Sequence, residues 1–266
     1  MKLKILSTLL FISNSWAQAS LPPDLLFNNK PIDSLCFANN ENDTNLINLN
    51  NCGLSKEKYK LIGQDKNLIN KGYIGYNWQN PEFSSGGEGS TYYTFFAAKN
   101  KYFWIYNINN GGGSGTFTAI NLIKKIDNHT LSNKVITSGD RCNGGIQNVT
   151  EKNGLLTFSM NLTPYDVIIL AKQHNPDLKA YDDLAACASC CVAKAFYTVN
   201  TDNNPQLKYV DLNRGMNQED MPDQGAHQNC FNKLFNSYLR DQQIHLQQTQ
   251  VNELAKKFKQ KCSKDK

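Results

Sequence analysis

The run Thr91-Tyr92-Tyr93-Thr94-Phe95-Phe96-Ala97-Ala98, followed after Lys99-Asn100 by Tyr102-Phe103-Trp104-Ile105-Tyr106-Asn107-Ile108, decides the fold class of this 266-residue chain. β-Branched and aromatic residues crowd both halves and turn residues separate them, the composition of a β-hairpin. With Lys99-Asn100 as a two-residue tip, Phe96 stands opposite Phe103, Thr94 opposite Ile105 and Tyr92 opposite Asn107. Phe95 then faces Trp104, and Tyr93 faces Tyr106, on the other side of the sheet. Both faces carry large side chains. Such a pair belongs in the middle of a sandwich or barrel, covered on both sides.

Working outward, the run Gly111-Gly112-Gly113-Ser114-Gly115 leads into a third strand at 116–126, and 131–137 climbs back. A further hairpin follows at 146–150 and 155–161, joined by Glu151-Lys152-Asn153-Gly154. An up-and-down meander of these strands gathers three glycine-rich loops, 84–90, 109–115 and 138–145, along one rim. From Thr163 the pattern turns helical. Thr163 is an N-cap with Pro164 in the first turn, Asn175-Pro176 breaks that helix, and a second helix spans 178–196. Segments 197–199 and 207–212 read as a short hairpin. Residues 226–260 are helical, with Phe231, Leu234, Phe235, Tyr238 and Leu239 as one apolar stripe and a break near 241–243. The expected fold is α+β: an antiparallel sheet (meander, sandwich or partly open barrel) over residues 20–162, then a disulfide-tethered helical subregion over 163–266 in the same domain.

Residues 1–19 carry a targeting pattern. Lys2 and Lys4 precede a short apolar run, and Ala17-Gln18-Ala19 fits a cleavage site. The apolar run is well short of the ~20 residues that span a bilayer. The expected product is therefore exported, periplasmic or extracellular, with no transmembrane segment in the mature chain. Losing Lys2 and Lys4 lowers the net charge from +5 to +3, too mild a balance to argue for nucleic acid. Abundant asparagine, lysine and isoleucine match the coding bias of an AT-rich bacterial genome.

Eight cysteines follow the targeting segment: Cys36, Cys52, Cys142, Cys187, Cys190, Cys191, Cys230 and Cys262. An even count in an exported chain favours disulfides. Cys36 with Cys52 is the cheapest pair, closing a short polar loop near the N-terminus. Cys187, Cys190 and Cys191 are expected to tie the 178–196 helix to Cys142, Cys230 and Cys262. A zinc site on Cys187-Ala188-Ser189-Cys190 lacks the second close cysteine pair such sites show, so no metal and no cofactor is expected.

The most site-like stretch is Gly139-Asp140-Arg141-Cys142-Asn143-Gly144-Gly145, with an acid, a base and an amide on one turn. Glu88, Ser90, Ser114, Asp140, Arg141 and Asn143 form the candidate binding rim, and no catalytic residue is assigned. The glycine runs lack Walker spacing, and no His-Glu-x-x-His, Gly-x-Ser-x-Gly or cysteine-peptidase motif is present. The leading expectation is a non-enzymatic protein of the cell envelope, or a secreted effector, that binds a protein or an envelope polymer. Two alternatives stand beside it: a hydrolase using Asp140 and Glu88 as its carboxylate pair, and a carbohydrate-binding module using Tyr73, Tyr76 and Trp78.

Overall fold

The computed structural model describes residues 21–38, 45–55, 58–81, 87–171, 181, 183–199, 203–213 and 225–262. The targeting segment, the 82–86 part of the first glycine loop and the expected helix break at 175–176 lie outside the described residues.

A ribbon of Leu26–Phe27 (β1) and Lys30–Pro31 (β2) precedes the short helix α1, Leu35–Ala38. Seven strands then build the larger sheet: Leu46–Asn48 (β3), Lys60–Gly63 (β4), Ile74–Gln79 (β5), Glu88–Ala97 (β6), Phe103–Asn110 (β7), Phe117–Lys125 (β8) and Thr130–Asp140 (β9). Helix α2, Lys66–Asn70, connects β4 to β5. The sheet order is β3-β9-β8-β7-β6-β5-β4, antiparallel throughout, so β5 to β9 form the expected meander. A five-stranded antiparallel sheet follows, in the order Ile146–Lys152 (β10), Leu155–Leu162 (β11), Ala193–Val199 (β12), Pro205–Leu212 (β13) and His245–Leu246 (β14). Helix α3 (Pro164–Leu170) lies between β11 and β12, while α4 (Ala226–Arg240) and α5 (Gln248–Cys262) flank β14.

Strand β7 shows why the hairpin is central. Ile105 joins a core with Leu25, Ile32, Phe37, Tyr93, Ile123 and Leu131, beneath the N-terminal segment. Trp104 and Tyr106, on the opposite face, join a larger core with Phe158, Tyr197 and Val210 of the second sheet and Phe231, Phe235 and Phe258 of the helices. The Tyr106 hydroxyl donates to the Ile146 carbonyl (2.8 Å), which ties the two sheets together. Asp33 anchors the N-terminal layer, accepting from the backbone of Leu35 (3.0 Å) and Leu54 (3.2 Å) and from the Tyr76 hydroxyl (2.6 Å).

The hairpin register differs from expectation by one residue. Phe96 pairs with Trp104, Phe95 with Ile105, and Tyr93 with Asn107. The tip takes three residues rather than two, because both Asn100 (φ 59°) and Lys101 (φ 62°) adopt left-handed backbone before the Ala98 amide meets the Tyr102 carbonyl. The added residue re-pairs every position.

The expected 178–196 helix is also corrected. The described residues from 183 to 192 are irregular, and Ala193–Val199 is strand β12. Ala193, Ala195, Tyr197 and Val199 are buried, while Lys194, Phe196 and Thr198 are only partly so, a period of two that sheet pairing rewards over alanine's helix propensity.

Elsewhere the helix signals hold. The Thr163 hydroxyl accepts from the Asp166 amide while the Asp166 carboxylate accepts from the Thr163 amide, a reciprocal cap on α3. Burial raises the Asp166 carboxyl above its ordinary range, partly offset by those Thr163 bonds. Replacing Thr163 by Ala is expected to cost about 1–2 kcal/mol in urea unfolding; a cost below ~0.3 kcal/mol counts against the cap. The C-terminal helix breaks after Arg240, as expected near 241–243, and the interruption runs on through strand β14 (His245–Leu246) to the start of α5 at Gln248.

All eight cysteines are paired: Cys36–Cys52, Cys142–Cys191, Cys187–Cys190 and Cys230–Cys262. The first and the Cys142 tether match expectation. Cys230 and Cys262 instead join α4 to α5, and Cys187 closes on Cys190.

Candidate functional site

The described part of the first glycine-rich loop, from residue 87, shares one end of the larger sheet with the 109–115 and 138–145 loops. Partners run from Thr91 on β6 to Asn109 on β7, Phe117 on β8 and Asp140 on β9, so β6 begins, β7 and β8 turn, and β9 ends at that edge. Gly112 lies against the Gly87 backbone, so the first two loops touch.

The 139–145 stretch is a corner built for rigidity. The Asn143 amide donates to the Asp140 carbonyl (2.6 Å), and the Asp140 amide donates back to Asn143 (2.9 Å). The Asp140 carboxylate accepts from the Thr116 amide (2.9 Å) and pairs with Arg141 Nε at 3.4 Å. Arg141 takes a left-handed backbone (φ 37°), and its carbonyl accepts from Asn161 Nδ2 (3.0 Å). A Cβ on Gly139 would strike the Asn143 and Gly144 carbonyls, so only glycine lets the corner close. The Cys142–Cys191 disulfide fastens the corner to the start of β12.

Beside this corner lies a cleft of about 650 Å³ on the sheet face that also carries the N-terminal layer. Asn107, Asn109, Phe117, Val135, Ser138, Asp140 and Asn143 line it, with Ala38 at its border. Phe117 is 54% exposed. Asn107 is buried and accepts from Asn121 Nδ2 at 3.4 Å, and Asn121 also donates to the Phe37 carbonyl at 3.1 Å. The Oδ1 atoms of Asn109 and Asn121 are buried and accept no hydrogen bond among the described residues. Each such acceptor costs roughly 1–3 kcal/mol until a donor arrives. The cleft wall carries amide, hydroxyl and carboxylate side chains and an exposed aromatic ring.

Of the six rim residues expected from sequence, Asp140 and Asn143 line the cleft and Arg141 flanks it. Glu88, Ser90 and Ser114 lie along the same edge but not in the cleft. Three strand spacings separate β6 from β9, roughly 14 Å. Of the two carboxylates expected as an acid–base pair, Asp140 lines the cleft and Glu88 does not. Nor do Tyr73, Tyr76 and Trp78 form a platform. Trp78 is buried against Gly89 and Tyr59, the Tyr76 hydroxyl is held by Asp33, and Tyr73 packs on the opposite core beside Tyr106.

Asn107, Asn109 and Phe117 escaped the sequence reading. A cue exists: amides at 107 and 109 continue the period-two row of Phe103 and Ile105, where apolar residues belong. Two histidine–carboxylate pairs were also missed, His227 Nδ1 with Asp183 and His245 Nδ1 with Asp211, each at 2.8 Å. The His245 ring packs on Tyr209, itself stacked on Phe196, along the outer face of the second sheet. A broader depression of about 770 Å³ runs along the end of α4, lined by Lys233, Asn236, Leu239, Arg240 and Gln242.

Among the described residues no three His, Cys, Asp or Glu side chains stand together as a metal site, and no helix is long and apolar enough to cross a membrane. Four disulfides are the covalent framework of a chain that folds in an oxidising environment, as exported proteins do. No protein-family model, curated protein or solved structure matches the chain.

Proposed function

We propose that this chain is an exported bacterial binding protein that holds a glycan segment of a cell-envelope polymer in the cleft beside the 139–145 corner. What carries the reading is Asn109, a residue of the cleft wall whose buried Oδ1 has no donor among the described residues; a small rotation of the amide would bring it to a ligand hydroxyl. Sugar hydroxyls supply such donors, and they also accept from amide side chains. Phe117 offers an apolar ring to the faces of a sugar, and among the described residues Asp140 is the single carboxylate on the wall. A charged polymer would call for more than one ionic partner, so a neutral stretch of glycan fits best. The disulfide-fastened corner keeps the wall in place before the ligand arrives, which lowers the ordering cost of binding.

The test is calorimetric titration of the purified protein with soluble oligosaccharides released from bacterial envelope polymers. Phe117→Ala is expected to weaken binding about tenfold or more without lowering the melting temperature, because the ring is largely exposed. Asn109→Ala should lose affinity yet keep or raise stability, since it removes an unpaired buried acceptor. Binding that survives both substitutions, or no binding to any of the oligosaccharides, would overturn the proposal.

A further inference from the structure

The cysteines near β12 carry a second chemistry, independent of the cleft. Cys187-Ala188-Ser189-Cys190 closes a disulfide across a separation of 3 residues, against 16, 32 and 49 for the other three. A cross-link stabilises chiefly by restricting the unfolded chain, and the restriction shrinks with loop length. This bridge therefore adds the least to the fold. Its two sulfurs also differ in setting. Cys190 is 1% exposed, whereas Cys187 is only partly buried between the exposed Ala186 and the partly buried Ala188. The Ser189 hydroxyl lies 3.4 Å from Cys187 Sγ, within reach to hydrogen-bond a thiolate formed there. The Cys190 amide donates to the Cys187 carbonyl (3.1 Å), which holds the four residues in a turn, and the Cys142 amide donates to Ala188 (3.3 Å), which pins that turn to the corner.

We infer that Cys187–Cys190 is a thiol–disulfide exchange site whose substrate is a dithiol, either a protein cysteine pair or a small molecule. A substrate thiolate attacks the accessible Cys187 Sγ. The Cys187–Cys190 bond breaks, and Cys190 leaves as a thiolate that takes up a proton. The second substrate thiol, deprotonated, then attacks the substrate sulfur of the mixed disulfide, and Cys187 leaves as a thiolate that the Ser189 hydroxyl stabilises. The substrate gives up two electrons and two protons and becomes a disulfide, while the Cys187–Cys190 pair is reduced to two thiols. Two-residue spacing suits this step, because such pairs lower a thiol pKa and exchange rapidly.

Graded reduction of the natively purified protein with dithiothreitol, followed by alkylation and peptide mapping, tests the assignment. Cys187 and Cys190 are expected to be labelled first, at a reductant concentration about tenfold below that which opens Cys36–Cys52 and Cys230–Cys262. Opening of Cys187–Cys190 together with those bridges, or after them, would overturn it. In the selectively reduced protein, Ser189→Ala is expected to move the pH profile of Cys187 alkylation upward by about one unit. An unmoved profile overturns Cys187 as the stabilised thiolate. Neither result depends on glycan binding, so the two proposals stand or fall separately.

Discussion

Above pH 10 the protein is expected to unfold over a narrow range, driven by three buried tyrosines. Burial pushes the phenols of Tyr93, Tyr106 and Tyr197 well above the ordinary value of 10.0. The unfolded chain releases those protons near 10.0 and the folded chain holds them, so the folded state binds more protons in that window and stability falls as pH rises. Each tyrosine contributes a slope of about 1.4 kcal/mol per pH unit, and three give about 4 kcal/mol per unit. Against a total stability of ~5–15 kcal/mol, one to three units suffice to unfold the chain. Circular dichroism and tyrosinate absorbance followed together against pH should show coincident steps. A smooth tyrosinate rise near 10 with unchanged ellipticity from all three residues would contradict the burial. Tyr93→Phe sharpens the test, because the Tyr93 hydroxyl has no hydrogen-bond partner among the described residues. This variant should keep its neutral-pH stability and unfold at higher pH than the parent.

Phe258→Ala is expected to cost about 3–5 kcal/mol, because it removes a whole ring from a closed core. Phe258 is fully buried on α5, its ring 5.4 Å from Tyr181 and 6.1 Å from both His227 and Phe231. The truncation opens a void where α4, α5 and the residues ahead of β12 meet, and the Cys230–Cys262 bridge hinders the two helices from moving to fill it. Differential scanning calorimetry should show a fall in melting temperature on the order of 10 °C. Lys257→Ala, one residue away on the exposed side, serves as control and should change stability by less than ~0.5 kcal/mol. A Phe258 variant that melts like this control would mean the helices are not docked through that ring.

Local chemistry was sufficient for several elements. The aromatic hairpin announced a strand pair covered on both sides, and Ile105 and Trp104 do face separate cores. Thr163-Pro164 announced the start of α3, and the stripe of Phe231, Leu234, Phe235 and Tyr238 announced the buried face of α4. Each depends on neighbours within a few residues, where propensity, capping and periodicity act. The glycine-rich rim was legible too, since it follows from counting strands up and down.

Contacts distant along the chain decided the rest. The hairpin expected at 197–199 and 207–212 formed, but residues 193–196 joined its first strand instead of a helix. They did so because Leu155–Leu162 and Pro205–Leu212 lie on either side to pair with them, a gain that a helix count over alanines does not register. Which sulfur meets which depends on where α4, α5 and the 139–145 corner come to rest, and eight cysteines allow 105 pairings before any of that is settled. The cleft belongs to the same class. Asn109, Phe117 and Asp140 are separated in sequence and become neighbours only through sheet register. From its sequence alone this protein is a disulfide-rich antiparallel sheet with C-terminal helices, because those features rest on short-range chemistry. Its cleft wall, its disulfide partners and its second sheet exist only once the strands have paired, because each is a relation between distant residues that packing creates.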